Sequence, residues 1–172
     1  MPSRLQLALN VSDIDQAVRF YSRLFGTEPA KRRPGYANFA IAEPPLKLVL
    51  LENPGQGGSL NHLGVEVPDT DTVEAEQARL AGAGLAAVEE RDTTCCYAKQ
   101  DKFWVQGTPD GERWEIYTVL EDSQTFWGPD GRQSWDTAEA APDAIAPAAD
   151  AAQCCGSQAH GGAEAAPAGA CC

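Results

Sequence analysis

All six cysteines of the chain stand in three directly adjacent pairs: Cys95–Cys96, Cys154–Cys155 and Cys171–Cys172. Scattering six cysteines at random over this length would give roughly 0.2 adjacent pairs, so the pairing is informative. Neighbouring Cα atoms lie about 3.8 Å apart, below the roughly 4.4–6.8 Å usual for a disulfide, so a bridge within a pair would be strained. Two adjacent thiolates instead chelate soft, thiophilic ions or metalloids. The cysteines therefore predict the capture of a soft ligand.

A second group of candidate residues consists of Gln6, His62 and Glu115. One amide oxygen, one imidazole and one carboxylate suit a hard or borderline divalent metal that also binds substrate and oxygen. The two-histidine, one-carboxylate triad of non-haem Fe(II) oxygenases is a related set. Each residue alone has a structural explanation: a solvated Gln, a sheet His with satisfied hydrogen bonds, and a Glu paired with Arg113 or a lysine. Lys102 is expected on a solvated surface.

The elements that must position these residues are predicted from an internal repeat with an offset of 56 residues. Residues 6–13 align with residues 62–69, so that Gln6 and His62 occupy equivalent places. Each copy begins with an alternating strand and continues into a helix. Ser12 is the expected cap of a helix over residues 13–25, and Thr70 or Asp71 that of a helix ending near Ala83.

Further strands are expected after each helix. In the first copy they cover residues 28–32, 36–42 and 46–52, and in the second residues 85–91, 95–98, 103–107 and 113–119. The chain is therefore predicted to be an α+β protein of two tandem βαβββ modules around a shared cleft. If the helices pack on the leucine face of the first strand, Gln6 and His62 both point into that cleft. Glu115 interrupts an apolar run of the last strand, where an unpaired charge is costly to bury.

The composition changes after the predicted modules. Residues 136–172 contain no Lys, Arg or aromatic residue, and 15 of these 37 positions are Ala. Such a segment buries too little apolar area to offset its ordering entropy. We therefore expect a folded domain over residues 1–121, a linker over 122–135 and a disordered tail over 136–172. Short helices are the alternative for the tail, since Ala is the best helix former. His160 is expected to be solvated.

The strand–helix start Leu-Gln-Leu-Ala-Leu-Asn-Val-Ser-Asp, the paired modules, and the run Thr-Thr-Cys-Cys-Tyr at residues 93–97 carry a family resemblance. Over residues 3–121 the chain resembles the vicinal oxygen chelate superfamily, which includes glyoxalase I, bleomycin-resistance proteins and extradiol dioxygenases. It is most similar to one branch, the Fe(II)-dependent carbon–arsenic lyases that demethylate trivalent organoarsenicals. Some sequences of this branch are labelled cadmium-induced proteins. Most superfamily members have His where Gln6 stands, which argues against glyoxalase-like isomerisation.

The resemblance implies a division of labour between the two groups of residues. Cys95 and Cys96 would bind the arsenic of a small trivalent organoarsenical. Gln6, His62 and Glu115 would hold Fe(II), with O₂ as co-substrate, and the C–As bond would be cleaved to release inorganic arsenite. The tail residues Cys154, Cys155, Cys171 and Cys172 would be accessory thiols that scavenge metalloid or retain product; a tail without function is the alternative.

Two other functions stay open from the residues. One is a non-enzymatic protein that sequesters Cd(II) or As(III) through its thiols, and the other is a ring-cleaving or glyoxalase-type metalloenzyme. The formal net charge of −12 disfavours nucleic acid and anionic membranes as partners. An N-terminus without a long apolar run, together with thiols expected to be reduced, predicts a cytoplasmic protein. Methyl or aromatic preference, the metal and the oligomeric state are left open.

Overall fold

The computed structural model describes residues 2–128. Within this range the chain forms eight strands and two helices, in the order β1 (Arg4–Val11), α1 (Ile14–Phe25), β2 (Lys31–Arg33), β3 (Tyr36–Ile41), β4 (Leu46–Glu52), β5 (Leu60–Glu66), α2 (Thr70–Gly82), β6 (Ala87–Cys95), β7 (Ala98–Val105) and β8 (Trp114–Asp122). The order βαβββ occurs twice, which confirms the predicted α+β fold. The tail predicted over residues 136–172, with its four cysteines and His160, lies outside the described residues, as does the second half of the predicted linker, residues 129–135. Neither helix within residues 2–128 has the length and apolar character needed to cross a membrane.

All eight strands of residues 2–128 belong to one curled sheet, with the order β2-β3-β4-β1-β5-β8-β7-β6. The first strands of the two modules, β1 and β5, pair antiparallel at its centre. Each of them also pairs in parallel with the last strand of its own module, β1 with β4 and β5 with β8. The two modules therefore form the two halves of the sheet, and the strands that begin and end them lie side by side.

Strand alternation separates the core from the cleft. On one face of β1, Leu7 and Leu9 pack with the buried Ile14 and Val18 of α1 in the larger hydrophobic cluster. In the second module, Val73 of α2 packs in a smaller cluster with strand residues that include Phe103. The opposite face of β1 carries Gln6 and Ala8, both buried. The helices thus cover one face of the sheet, and the other face lines the cleft, as the alternation predicts.

Both predicted helix caps are wrong by one or two residues. Asp13, not Ser12, caps α1, and its carboxylate accepts a hydrogen bond from the backbone N–H of Gln16. Asp69, not Thr70 or Asp71, caps α2 and accepts from the backbone N–H of Thr72. Ser, Thr and Asp are all good caps, so a run of such residues leaves the choice to the path of the incoming chain.

The separate strand predicted over residues 95–98 does not exist. Cys95 ends β6 and Ala98 begins β7, and the two residues pair directly. Cys96 and Tyr97 form the two-residue turn between these strands, with φ values of 58° and 60°. Positive φ at both central positions is the signature of a type I′ hairpin turn, which usually contains Asn or Gly. The predicted first strand of residues 28–32 also begins later, at Lys31.

Candidate functional site

Three buried polar side chains meet on the cleft face of the sheet. The amide nitrogen Nε2 of Gln6 lies 2.6 Å from Glu115 Oε1 and 3.0 Å from His62 Nε2. The third side of the triangle, from His62 Nε2 to Glu115 Oε1, is 3.2 Å. Only 4–5% of each residue is exposed. The structure therefore brings together the three residues that the sequence predicts as metal ligands.

The adjacency of three strands produces this convergence. Gln6 lies on β1, His62 on β5 and Glu115 on β8, and β5 pairs with both of the others. Gly64 of β5 stands directly opposite Gln6 on one side and Glu115 on the other. A Cβ atom at Gly64 would lie 2.9 Å from Glu115 Cγ and 3.3 Å from Gln6 Nε2. The missing side chain is what allows Gln6 and Glu115 to touch across the intervening strand.

A hydrogen bond to Asn61 orients the ring of His62. Asn61 Oδ1 lies 2.7 Å from His62 Nδ1, and the Arg113 guanidinium donates to the Asn61 backbone oxygen at 2.8 Å. When Nδ1 carries the ring proton, Nε2 presents its lone pair to Gln6 and Glu115. Trp104 supports the ring edge-on, with the ring centroids 5.5 Å apart. Such outer contacts fix the tautomer and direction of histidine ligands in metal sites.

Glu115 has a buried cationic partner. Lys102 Nζ lies 3.3 Å from Glu115 Oε2, which leaves Oε1 to face Gln6 and His62. Burial alone raises the pKa of Glu115, but the charge of Lys102 and the interactions with His62 outweigh it and hold the pKa at about 2. The predicted solvated position of Lys102 is wrong, since this residue is 1% exposed. The carboxylate is thus ionised, and its Oε1 atom faces Gln6 and His62.

Tyr117 holds the other end of the Gln6 amide. Its hydroxyl lies 2.5 Å from Gln6 Oε1 and 3.1 Å from Glu66 Oε2. Glu66 in turn accepts hydrogen bonds of 3.0 and 3.2 Å from Arg4 and lies 3.3 Å from Lys47 Nζ. Burial by itself raises the pKa of Glu66, but the charges of Lys47 and Arg4 together lower it. A charged cluster therefore lies directly behind the amide.

The two thiols of the β6–β7 hairpin are in contact, and each shifts the pKa of the other. Cys95 Sγ and Cys96 Sγ are 2.9 Å apart, longer than the roughly 2.05 Å of a disulfide, and both are free. The hydrogen bond from Cys96, opposed by burial and assisted by Lys102, lowers the pKa of Cys95. The same bond together with burial raises the pKa of Cys96. The pair therefore ionises first at Cys95.

The backbone of this hairpin is strained, and the chain that follows β8 holds it in place by hydrogen bonds. A non-glycine residue with φ near 60° costs about 1–2 kcal/mol, and Cys96 and Tyr97 both adopt such a conformation. The residues after β8 stabilise the turn: Cys96 N–H donates to the Phe126 carbonyl at 2.8 Å, and Ser123 N–H donates to the Tyr97 carbonyl at 2.9 Å. Strain of this kind is characteristic of functional sites.

The thiols and the polar triad open onto the same space. His62, Glu115, Cys95 and Cys96 all line one cavity of about 430 Å³. Four aromatic side chains form part of the wall of this cavity: Tyr97, Trp104, Phe126 and Trp127. A second cavity, of about 410 Å³, adjoins Gln6, His62 and Cys96 and is lined further out by Arg4, Lys31 and Lys47.

The sequence of the chain matches a known protein superfamily. The model of the Glyoxalase/Bleomycin resistance protein/Dioxygenase superfamily matches residues 4–116, which hold the first module, the second module up to the start of β8, and all three triad residues. The chain belongs to this superfamily. Its paired modules and central cleft are the superfamily fold that the sequence resemblance predicts.

Two named groups of proteins in this superfamily are similar to the chain. Cadmium-induced protein CadI of Mycobacterium tuberculosis (strain ATCC 25618 / H37Rv) is 71% identical over 124 residues, covering 72% of this chain and 81% of the relative. The trivalent organoarsenical cleaving enzyme of Thermomonospora curvata is 61% identical over 125 residues, covering 72% and 82%. An enzyme with the same name from Bacillus sp. (strain MD1) is 42% identical, covering 69% of this chain and 76% of the relative.

Solved structures of superfamily enzymes share the fold. Homoprotocatechuate 2,3-dioxygenase from Arthrobacter globiformis matches 73% of this chain and 38% of its own with a TM-score of 0.51 at 16% identity. An extradiol ring-cleaving dioxygenase from B. fuscum matches 72% and 34% with a TM-score of 0.50 at 17% identity. At this level of identity the likeness concerns the fold alone.

The donor set of the triad fits a metal of the kind that superfamily enzymes use. Within residues 2–128, no group of three His, Cys, Asp or Glu side chains is arranged to hold a metal, so a three-residue site needs the amide of Gln6. The carboxylate is ionised, the imidazole offers Nε2 when its proton lies on Nδ1 beside Asn61, and the amide supplies an oxygen once it is turned toward the other two. These donors suit Fe(II), Mn(II) or Zn(II).

Four residues that support the site are not apparent from the sequence: Gly64, Asn61, Lys102 and Tyr117. The repeat contains a signal for Gly64, because it aligns Gly64 with Ala8. Each module thus has a small residue two positions after Gln6 or its equivalent His62. For Lys102, the signal is a charged residue directly before the aromatic pair Phe103 and Trp104. Their partners across the sheet are set by strand pairing, which no local pattern reveals.

Proposed function

We propose that this protein is a non-haem Fe(II)- and O₂-dependent lyase that cleaves the C–As bond of trivalent organoarsenicals and releases inorganic arsenite. The observation that carries the proposal is the shared cavity: two adjacent thiols and two members of the polar triad line the same space of about 430 Å³. A soft, thiophilic atom held by the thiols would bring its carbon substituent next to the triad. Few other substrates need both groups.

The relatives support this substrate class. The Thermomonospora curvata protein, 61% identical, is named a trivalent organoarsenical cleaving enzyme, and so is the 42% identical Bacillus protein. The region of similarity spans about 125 residues. This length is close to that of the described residues 2–128, which contain both modules and the β6–β7 hairpin.

Cys95 and Cys96 would bind the substrate by exchange of oxygen ligands for sulfur. An organoarsenical R–As(OH)₂ reacts with two thiols to form two As–S bonds and two molecules of water, and the As–C bond stays intact. The lowered pKa of Cys95 makes this sulfur the first nucleophile, because the thiolate is the reactive form. The strained turn presents both sulfurs on one side of the hairpin. Binding therefore leaves the carbon substituent directed away from the sulfurs into the cavity.

Gln6, His62 and Glu115 would hold the metal. Bound there, Fe(II) would supply the one-electron chemistry that lets O₂ react with a closed-shell organic substrate. The protein contributes the position of the ligands: Asn61 orients His62, and Lys102 leaves one oxygen of Glu115 toward the triad. Positioning of two reactants in one cavity is itself a large contribution to rate.

For a methyl substrate, the reaction balances without an external reductant. CH₃As(OH)₂ and O₂ contain the atoms of As(OH)₃ and formaldehyde, HCHO. The carbon loses four electrons, O₂ gains four, and arsenic stays trivalent. The proposal therefore predicts one molecule of O₂ consumed and one of formaldehyde formed for each arsenite released.

The test is a single-turnover and steady-state assay on full-length protein loaded anaerobically with Fe(II). After methylarsenite is added and air admitted, arsenic species, O₂ and formaldehyde are measured against time. Catalytic arsenite formation that is lost in His62→Ala and in Cys95→Ser supports the lyase. Conversion by the Cys95→Ser variant at the unchanged rate would contradict the role of the thiols. No conversion of methylarsenite by wild type, with Fe(II) bound at the triad and no arsenic retained, would favour a glyoxalase-type or ring-cleaving enzyme.

One observation favours a second candidate, a thiol protein that sequesters Cd(II) or As(III). A relative that is 71% identical is named a cadmium-induced protein, and vicinal thiolates bind such ions. A sequestering protein does not need the triad, so His62→Ala would leave its binding stoichiometry unchanged and methylarsenite would remain bound but unconverted. The same assay, with bound arsenic measured after gel filtration, separates the two functions. A cytoplasmic location stays a prediction for either.

A further inference from the structure

The amide of Gln6 faces the triad with its nitrogen. Its Nε2 donates to Glu115 Oε1 at 2.6 Å and lies 3.0 Å from His62 Nε2. Its oxygen, Oε1, points the other way and accepts from the Tyr117 hydroxyl at 2.5 Å. Both ends of this buried amide therefore have hydrogen-bond partners.

Metal binding requires the opposite end. An amide donates electrons to a hard cation through its oxygen, whereas its NH₂ group offers only hydrogens. A cation between Glu115 and His62 would thus meet two N–H hydrogens. The amide must turn by about 180° around its terminal bond, a torsion with a broad, roughly two-fold energy profile. This step rests on the proposed metal site.

Turning the amide creates a new demand at Tyr117. The nitrogen then replaces Oε1 beside the hydroxyl and must find an acceptor there, since an unpaired buried N–H is costly. A hydroxyl can accept, but its single hydrogen must then point elsewhere. Glu66 Oε2, 3.1 Å from the Tyr117 hydroxyl, is an acceptor in the required place. Arg4 and Lys47 keep this carboxylate in position.

We propose that Tyr117 and Glu66 form a hydrogen-bond relay that allows the Gln6 amide to present nitrogen in the metal-free site and oxygen to the metal. Without metal, the Tyr117 hydroxyl donates to Gln6 Oε1. With metal, the hydroxyl donates to Glu66 and accepts from Gln6 Nε2. No proton changes owner, and the Tyr117 hydroxyl accepts one of the two N–H groups of the turned amide. Tyr117 and Glu66 are therefore positioning residues for the Gln6 amide and are not metal ligands themselves.

The relay explains why a charged cluster lies beside the site. A half-buried carboxylate is costly unless it is paired, and Glu66 is held by two cations within 3.3 Å. A structural ion pair alone would not need to contact Tyr117, and a tyrosine that only packed would not need to contact Gln6. Tyr117, completely buried, contacts both.

Nuclear magnetic resonance tests the turn directly in the full-length wild-type protein, with Zn(II) as a diamagnetic probe. The side-chain NH₂ signals of Gln6 are assigned by their loss in Gln6→Glu. In metal-free protein we expect Overhauser contacts from these protons to the His62 ring. On saturation with Zn(II) we expect them to move to the Tyr117 ring. Contacts to His62 that persist while the His62 signals show bound Zn(II) would overturn the relay.

Metal affinity provides the second test. Tyr117→Phe should weaken Zn(II) and Fe(II) binding about 10–100-fold, the usual effect of losing a partner that orients a ligand. The matched control is Tyr36→Phe, which removes an equally buried hydroxyl bonded to Asn38 and should leave the affinity unchanged. In a Gln6→Glu background both ends of the side chain are oxygens, so Tyr117→Phe should then cost less than about threefold.

The outcomes separate this relay from the proposed function. If wild-type protein binds neither metal at His62, the metal site fails and the relay fails with it. If wild type binds metal but Tyr117→Phe binds equally well, only the relay is wrong. If Tyr117→Phe weakens binding by the same factor in both backgrounds, Tyr117 acts through packing and the relay is again wrong. Melting temperatures measured without metal exclude a general loss of folding.

Discussion

A single methyl group added at Gly64 should disable the triad while leaving its three side chains in the sequence. Gly64 lies between Gln6 and Glu115, and a Cβ atom there would approach Glu115 Cγ to 2.9 Å and the Glu115 backbone oxygen to 3.3 Å. Carbon atoms in proteins prefer separations of about 3.5–4.0 Å, so Glu115 would have to move by roughly 0.6–1 Å. Its carboxylate is held on both sides, by Gln6 at 2.6 Å and by Lys102 at 3.3 Å.

The expected magnitude follows from this displacement. Metal–ligand distances tolerate deviations of about 0.2 Å, so a shift of roughly 0.6 Å takes Glu115 out of coordinating range. We expect Gly64→Ala to weaken Fe(II) binding at least about 10-fold and up to about 100-fold. Overpacking of a buried position should also lower the free energy of unfolding by about 1–3 kcal/mol. Arsenite formation at limiting Fe(II) should fall in proportion to metal occupancy.

The assay is an anaerobic titration with Fe(II), combined with thermal unfolding of the metal-free protein. Gly82→Ala is the matched control, because a Cβ at this helical glycine meets nothing within 4 Å. This control should bind Fe(II) like wild type and unfold at an equal or slightly higher temperature, since Ala is favoured over Gly in helices. An Fe(II) affinity of Gly64→Ala equal to that of wild type would refute the reasoning, whatever happened to its stability.

Three further predictions concern the residues around the triad. Lys102→Met should destabilise metal-free protein by about 3–5 kcal/mol, because it leaves Glu115 buried without its cation, and bound Zn(II) should restore more of the melting temperature than it adds to wild type. Asn61→Ala should weaken metal binding about 10–100-fold by releasing His62, whereas Asn61→Asp, which keeps an acceptor at Nδ1, should bind as tightly as wild type. The pKa of Glu115 is lowered from 4.5 to about 2, so its contribution to folding is present above pH 4.5 and is lost as the pH falls toward 2. Chemical unfolding of metal-free Glu115→Gln should accordingly depend less on pH between 2 and 4.5 than that of wild type; equal slopes would show that Glu115 does not titrate in this range.

The parts of the site that the sequence predicts are those that depend on local geometry. Side chains alternate across a strand, so Leu7 and Leu9 on the core face imply that Gln6 faces the cleft. The repeat then places His62 at the equivalent position of the second module. The vicinal thiols of Cys95 and Cys96 are apparent without any fold, because adjacency in the chain already makes them a chelate. For these residues the sequence determines both the chemistry and the face.

The partners of these residues are decided only by the tertiary structure. Lys102, predicted on the surface, reaches Glu115 because β7 pairs with β8, and Gly64 matters because β5 separates β1 from β8. The sequence likewise predicts a strand at Cys96, where the structure has a hairpin turn. The pairing of β6 with β7 imposes a positive φ there against the local preference of the residue. Sequence pattern determines which way a side chain points, because that is a property of one strand. Strand order and register determine what it meets, because they arise from the packing of the whole sheet.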